Sequence, residues 1–238
     1  MRLSFLLPFL TIPLLISGCI HFKQEIRIKA DGSMEVEYLY SLPEEYISAF
    51  ATGKEVIEEK QGERDSADYL AWPLNEELAR EMFNSDNLTL DIYREWREEG
   101  RQYVRLKVLV NDLTAVDRNS PLPYFTLTQL ERAEEGKYVY RFSLQKPFSK
   151  GWQDDNDVPE DRRRELNLLL EDLRMELLVK VPGTITYASG GVSDKTEVSW
   201  QFTNNDRQPA EWLRKEPELT ILFESDNDKL PETAEENN

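Results

Sequence analysis

Cys19 is the single cysteine of this 238-residue chain, and it closes an uncharged apolar run that begins after Arg2. The order is a basic residue, an apolar core from Leu3 to Leu15, and a small-residue exit at Ser17 and Gly18. That is the layout of a secretory signal peptide. The last five residues, Leu15-Ile16-Ser17-Gly18-Cys19, have the form of a bacterial lipobox, in which the cysteine is acylated and becomes the mature N-terminus. The small residues let the chain enter a peptidase in extended form, and thioether lipidation needs a thiol. The rival reading is an uncleaved transmembrane segment. Leu3 to Ile20 is close to the lower length limit for spanning, about 17 residues. Pro8 and Pro13 interrupt it, a poor composition for a minimal helix.

This placement sets the rest of the domain plan: a signal peptide over 1–18, cleavage between Gly18 and Cys19, a lipid-anchored body over 19–224, and an acidic tail over 225–238 expected to be disordered. A candidate subdivision of the body falls near 112–123, where Ser120-Pro121-Leu122-Pro123 marks a long loop or a crossing between sheets. With no second cysteine, the body must hold together by packing alone, although its compartment permits disulfides.

The chain carries a formal charge of −17, and losing residues 1–18 removes Arg2 and no acid, which leaves −18. Such a surface opposes binding to nucleic-acid phosphate and adsorption to anionic lipid. No nucleic-acid partner is expected, and attachment falls to the acyl chains. One chain holds marginally and two hold stably. A bacterial lipid-modified cysteine carries at least two, palmitate among them. Ile20 stands where some diderm bacteria use an aspartate to retain lipoproteins at the inner membrane. The expected location is therefore the cell envelope, at the outer membrane facing the periplasm in a diderm.

Beyond the anchor, alternation of apolar and polar residues dominates. Phe22, Ile26 and Ile28, then Met34, Val36, Tyr38 and Tyr40, flank Asp31-Gly32, a strong hairpin-turn signal. Ser41-Leu42-Pro43-Glu44 reads as a capping box with proline at the first helical position, opening a helix through Ile57. Asn75 is a cap for a short helix presenting Leu78, Met82 and Phe83. Leu88 to Trp96 pairs with Val104 to Val110, and Tyr124 to Arg132 pairs with Tyr138 to Gln145. A third helix runs from Asp157 through Leu173. Strands follow at 176–181, 184–188, 196–202 and 218–224, with Ser189 to Asp194 as a hairpin loop between the second and third of these. The expected fold class is α+β, mainly antiparallel hairpins forming one or two sheets packed with about three helices.

Chemistry-bearing constellations are sparse. His21, the only histidine, lies two residues from the anchor, where a catalytic base is hard to enclose. That excludes Ser-His and Cys-His schemes and zinc sites built from several His or Cys. Asp154-Asp155-Asn156-Asp157 starts like a calcium loop, but Val158 and Pro159 occupy a ligand and the turn-glycine position. No metal, no cofactor and no catalytic residue are expected. Carboxylate-pair hydrolysis stays open only because acids are abundant. Of the five tryptophans, Trp96 and Trp200 fall in strand patterns and are assigned to the core. Trp72 and Trp152 fall in loops and are the candidates for contact with a ligand or partner.

The lipobox cysteine, the opening hairpin with Asp31-Gly32-Ser33, and Val181-Pro182-Gly183…Gly190-Gly191…Val198-Ser199-Trp200-Gln201-Phe202 together resemble bacterial lipoproteins of the LppM-like type. The resemblance covers the first forty residues and roughly thirty near the C-terminus; the middle of the chain is unmatched. It implies an envelope-anchored α+β domain, with binding of lipid or glycolipid as a family property, and it transfers no catalytic residue. A non-enzymatic module for protein interaction or structure is the expected function. The alternatives are a carrier or sensor with an apolar pocket for lipid-like ligands and, behind it, a carboxylate-dependent hydrolase.

Overall fold

A computed structural model describes residues 21–44, 76–112, 125–144, 174–203 and 218–225. These comprise eleven strands and one short helix. In chain order they are β1 (His21–Ile28), β2 (Met34–Pro43), α1 (Glu76–Met82), β3 (Leu88–Glu98), β4 (Arg101–Val110), β5 (Phe125–Glu134), β6 (Lys137–Leu144), β7 (Arg174–Lys180), β8 (Thr184–Ala188), β9 (Val192–Asp194), β10 (Glu197–Thr203) and β11 (Glu218–Glu224). A seven-stranded sheet has the order β3-β4-β2-β1-β7-β10-β9, and a four-stranded sheet the order β5-β6-β11-β8.

The α+β expectation with about three helices is therefore corrected: the described protein is mostly β, and its one helix spans seven residues. Ser41, Leu42 and Pro43, expected to open a helix through Ile57, instead end strand β2 opposite Tyr103, Gln102 and Arg101; the rest of that segment beyond Glu44, the helix expected at 157–173 and Asn75 lie outside the described residues. Among the described residues, two sheets furnish almost all of the buried apolar surface. Phe22, Ile26, Val36, Tyr38, Val108, Leu177 and Val179 of the larger sheet and Tyr138, Tyr140, Phe142, Ile221 and Phe223 of the smaller one belong to a single buried cluster. Full burial of such a side chain contributes about 1.5–3 kcal/mol, so this cluster is the main source of stability. Helix α1 adds Ala79, with Phe83 just past its end.

Three turns follow from local chemistry. Between β1 and β2, Asp31 Oδ1 accepts from Ser33 N (3.0 Å) and Ser33 Oγ (2.7 Å), while Gly32 takes φ 83°. The β3–β4 turn puts Glu99 and Gly100 at φ 51° and 72°, the pairing a tight hairpin needs. Gly136 turns β5 into β6.

Pairing departs from the expected hairpins in two places. Strand β1 lies parallel to β7, with Phe22 opposite Met175 and Ile26 opposite Val179. The chain between them contains β2 through β6, ample for the long connection parallel neighbours require. Strands β8 and β10 do not form a hairpin with each other. Strand β8 pairs with β11 in the smaller sheet, whereas β10 pairs with β7 and β9 in the larger. The β7–β10 segment thus leaves one sheet, serves the other, and returns.

Pro182-Gly183 makes that exit. A Cβ on Gly183 would be driven into the Glu224 carbonyl and the Phe223 ring. Gly191 makes the return, since a Cβ there would fall 2.6 Å from Val198 Cγ2 and 2.8 Å from the Trp200 ring. The Trp200 indole N–H donates to Ser189 O at 2.6 Å and closes the loop. Ser189 N in turn donates to Thr220 O, and Ser189 Oγ accepts from Thr220 N, which fixes the crossing to β11.

Candidate functional site

The four residues singled out as functional, Gly18, Cys19, Trp72 and Trp152, all lie outside the described residues. What the structure supplies is the frame around the first two. Strand β1 begins at His21, so only Ile20 separates Cys19 from a strand with sheet partners on both sides, β2 and β7. Two residues reach at most about 7 Å.

Register identifies what stands at the Cys19 end of the sheet. His21 is opposite Ser41, Ser41 opposite Tyr103, and Tyr103 opposite Trp96. On the other side His21 is opposite Arg174, and Arg174 opposite Thr203. The row Trp96–Tyr103–Ser41–His21–Arg174–Thr203 therefore crosses six strands at one level. Trp96 stacks on Tyr103 with centroids 5.1 Å apart and planes within 8°, and the Arg94 guanidinium lies 5.4 Å from the Trp96 ring centre. Arg101 is buried and donates to Ser41 Oγ (3.0 and 3.2 Å) and Ser41 O (3.2 Å), tying β4 to β2 at this end. Partial loss of solvent, with the Arg101 and Arg174 charges nearby, holds His21 below the ordinary histidine value.

Trp96 was expected in the core and is instead half-buried on the outer face. The cause is a bulge between Leu90 and Ile92. It inverts the alternation, so Ile92 turns outward and Tyr93 packs against the core. Trp200, by contrast, is buried as its strand pattern implied.

Along its length the outer face of the larger sheet is a ladder of ion pairs. Asp91, Lys107, Glu35 and Lys29 link in series at 3.4, 3.2 and 2.7 Å. Arg105 grips Glu37 with two bonds of 2.8 and 2.9 Å. Glu25 accepts from Lys180 at 2.7 Å beside Arg27, and Lys23 faces Glu176 at 3.3 Å. Burial pushes the Glu25 carboxyl up, but Lys180 and Arg27 outweigh it and the net shift is downward. Lys29, with Lys107, likewise lowers Glu35 against partial burial. Such exposed pairs contribute at most about 1 kcal/mol each; the face is held in one pattern more than it is stabilised.

The inner face holds the opposite feature. The Tyr38 and Tyr140 hydroxyls are buried with no hydrogen-bond partner among the described residues, and burial raises both above the usual tyrosine range. Among the described residues no group of three or more His, Cys, Asp and Glu is placed to hold a metal ion, and no helix is long and apolar enough to cross a membrane.

No family model and no curated protein matches this sequence. Among solved structures, the chain is similar to the NMR structure of the folded domain of Mycobacterium tuberculosis LppM, at 12% identity and a TM-score of 0.43, covering 92% of this chain and 98% of that one.

Proposed function

We propose that this chain is a bacterial envelope lipoprotein, in which acyl chains on Cys19 hold a non-enzymatic β domain at a membrane for interaction with an envelope partner. The observation that carries the reading is the lipobox Leu15-Ile16-Ser17-Gly18-Cys19 placed one residue ahead of β1. A tether on an interior strand transmits position to the whole sheet, as suits a module that presents a surface at a set height. The net charge of −17 supports reliance on acyl chains rather than on polypeptide–lipid attraction. Ile20 in place of aspartate supports the outer membrane, facing the periplasm, in a diderm host.

The test is metabolic labelling with an alkyne palmitate analogue in cells producing the native chain or Cys19→Ser. Label and carbonate-resistant membrane recovery are expected for the native chain and neither for the variant. A variant still processed and membrane-bound would sink the proposal, and recovery with inner-membrane markers would remove the outer-membrane assignment.

The two buried tyrosine hydroxyls, without a partner among the described residues, favour a second reading, a carrier or sensor whose lipid-like ligand offers them a polar acceptor atom. Native mass spectrometry of the membrane-extracted protein separates the two: a co-purifying lipid lost in Tyr38→Phe would select the carrier.

A further inference from the structure

We propose that the Cys19 end of the seven-stranded sheet rests directly against the bilayer interface, with Trp96 and Tyr103 at headgroup depth and the β3–β4 turn as a second point of support. This rests on the acylation proposed above. The first observation is the length of chain between tether and sheet. A single residue, Ile20, separates Cys19 from His21, so the row containing His21 stands within about 7 Å of the acylated residue. There is no linker that would let the sheet turn away.

The second observation is the shape of that end. Continuing the register two residues past His21 reaches Pro43, opposite Arg101, which is opposite Glu98. The turn at Glu98, Glu99 and Gly100 therefore projects beyond the row containing His21, on the side from which the chain enters β1. It stands three strand spacings to one side, about 14 Å. A body held at Cys19 and stopped at this turn has two contacts with a plane, which together set its tilt.

The third observation is composition. Trp96 and Tyr103 are half-buried on the outer face and carry Arg94 against the tryptophan ring. Tryptophan and tyrosine are the side chains that settle at membrane–water boundaries, where one part of the ring is apolar and another wet. Among the described residues, from the row outward this end has Arg97, Arg101 and Arg174 against Glu44, Glu98 and Glu99, a balance within a strongly acidic chain. The opposite end sets Lys29 and Lys195 against Asp31, Asp86, Asp112 and Asp194. Of the two ends, the one beside the tether is, by its described residues, the one an anionic surface repels less.

Because acylation consumes the only native thiol, a single introduced cysteine can be labelled in the mature lipoprotein. The experiment compares Glu98→Cys, at the proposed contact, with Asp86→Cys, at the far end. Each is extracted from membranes, labelled with an environment-sensitive fluorophore, and reconstituted into phosphatidylethanolamine–phosphatidylglycerol vesicles carrying a headgroup nitroxide. The Glu98→Cys probe should lose most of its fluorescence and the Asp86→Cys probe almost none. In Trp96→Ala combined with Glu98→Cys the loss should shrink while binding to vesicles persists. Equal quenching at both ends in vesicle-bound protein would overturn the orientation and leave the anchor standing. Protein recovered without acyl chains and off the vesicles would overturn both.

Discussion

Tyr38 is the residue whose account is most exposed to measurement. Its ring packs in the core near Phe22, at 6.2 Å between centroids, yet its hydroxyl has no partner among the described residues. A buried polar group without a hydrogen bond costs about 1–3 kcal/mol. Tyr38→Phe should therefore leave stability unchanged or raise it by about 1 kcal/mol in urea unfolding. A clear loss would show that the hydroxyl has a partner in the native protein. The glycines give the opposite sign. Gly183→Ala forces a methyl against Glu224 backbone, and Gly191→Ala forces one under Trp200. Each should lose about 1–3 kcal/mol by the same measurement, and wild-type stability in both would refute the sheet-crossing role given to them. At this scale much was legible. Asp31-Gly32 announced its turn, and the Pro-Gly, Gly-Gly and Trp residues flagged the 181–202 stretch. Trp96 was not legible, because one bulge near Leu90 reverses inside and outside, and of the apolar residues within Leu88–Trp96 only Tyr93 breaks the alternation.

Strand positions were readable from alternation, but partners were not. Period-2 patterning says which side chains share a face; it does not say which sheet a strand joins. Hence alternation places β8 at its observed ends, Thr184–Ala188, but not beside its partner β11, and the parallel β1–β7 pair has no local signal at all. The expected α+β class gives way to a mostly β one because the buried core of the described residues draws on two sheets; the segments read as helical beyond Glu44 and at 157–173 lie outside them. The element-level prediction concerns exchange of backbone amides. Strands β1 and β7 have partners on both sides and sit in the core cluster, whereas β9 spans three residues at an edge and leaves Val192 79% exposed. Hydrogen exchange should be slowest in β1 and β7 and fastest in β9. Fast exchange in β7 would contradict the parallel pairing.

For the whole molecule, charge and tether act together. Protonation should reveal the charged groups in order. His21 is held below its ordinary value of 6.5, so the unfolded chain takes up its proton first. Stability should be flat above pH 6.5 and step down slightly as pH falls through the depressed His21 value. Glu25 and Glu35 are also depressed, from an ordinary value of 4.5, and a second loss should follow below that pH as their pairs with Lys180 and Lys29 break. In His21→Gln the first step should vanish and the second remain. Denaturant unfolding across pH checks both, and an unaltered profile in the variant would remove His21 from the account. The tether itself is examined most directly by mass spectrometry of the N-terminal peptide from membrane-extracted native protein. The account predicts a peptide that starts at Cys19 and carries diacylglyceryl and amide-linked acyl groups. A peptide that retains Ser17-Gly18, or that shows Cys19 with a free thiol, would contradict it.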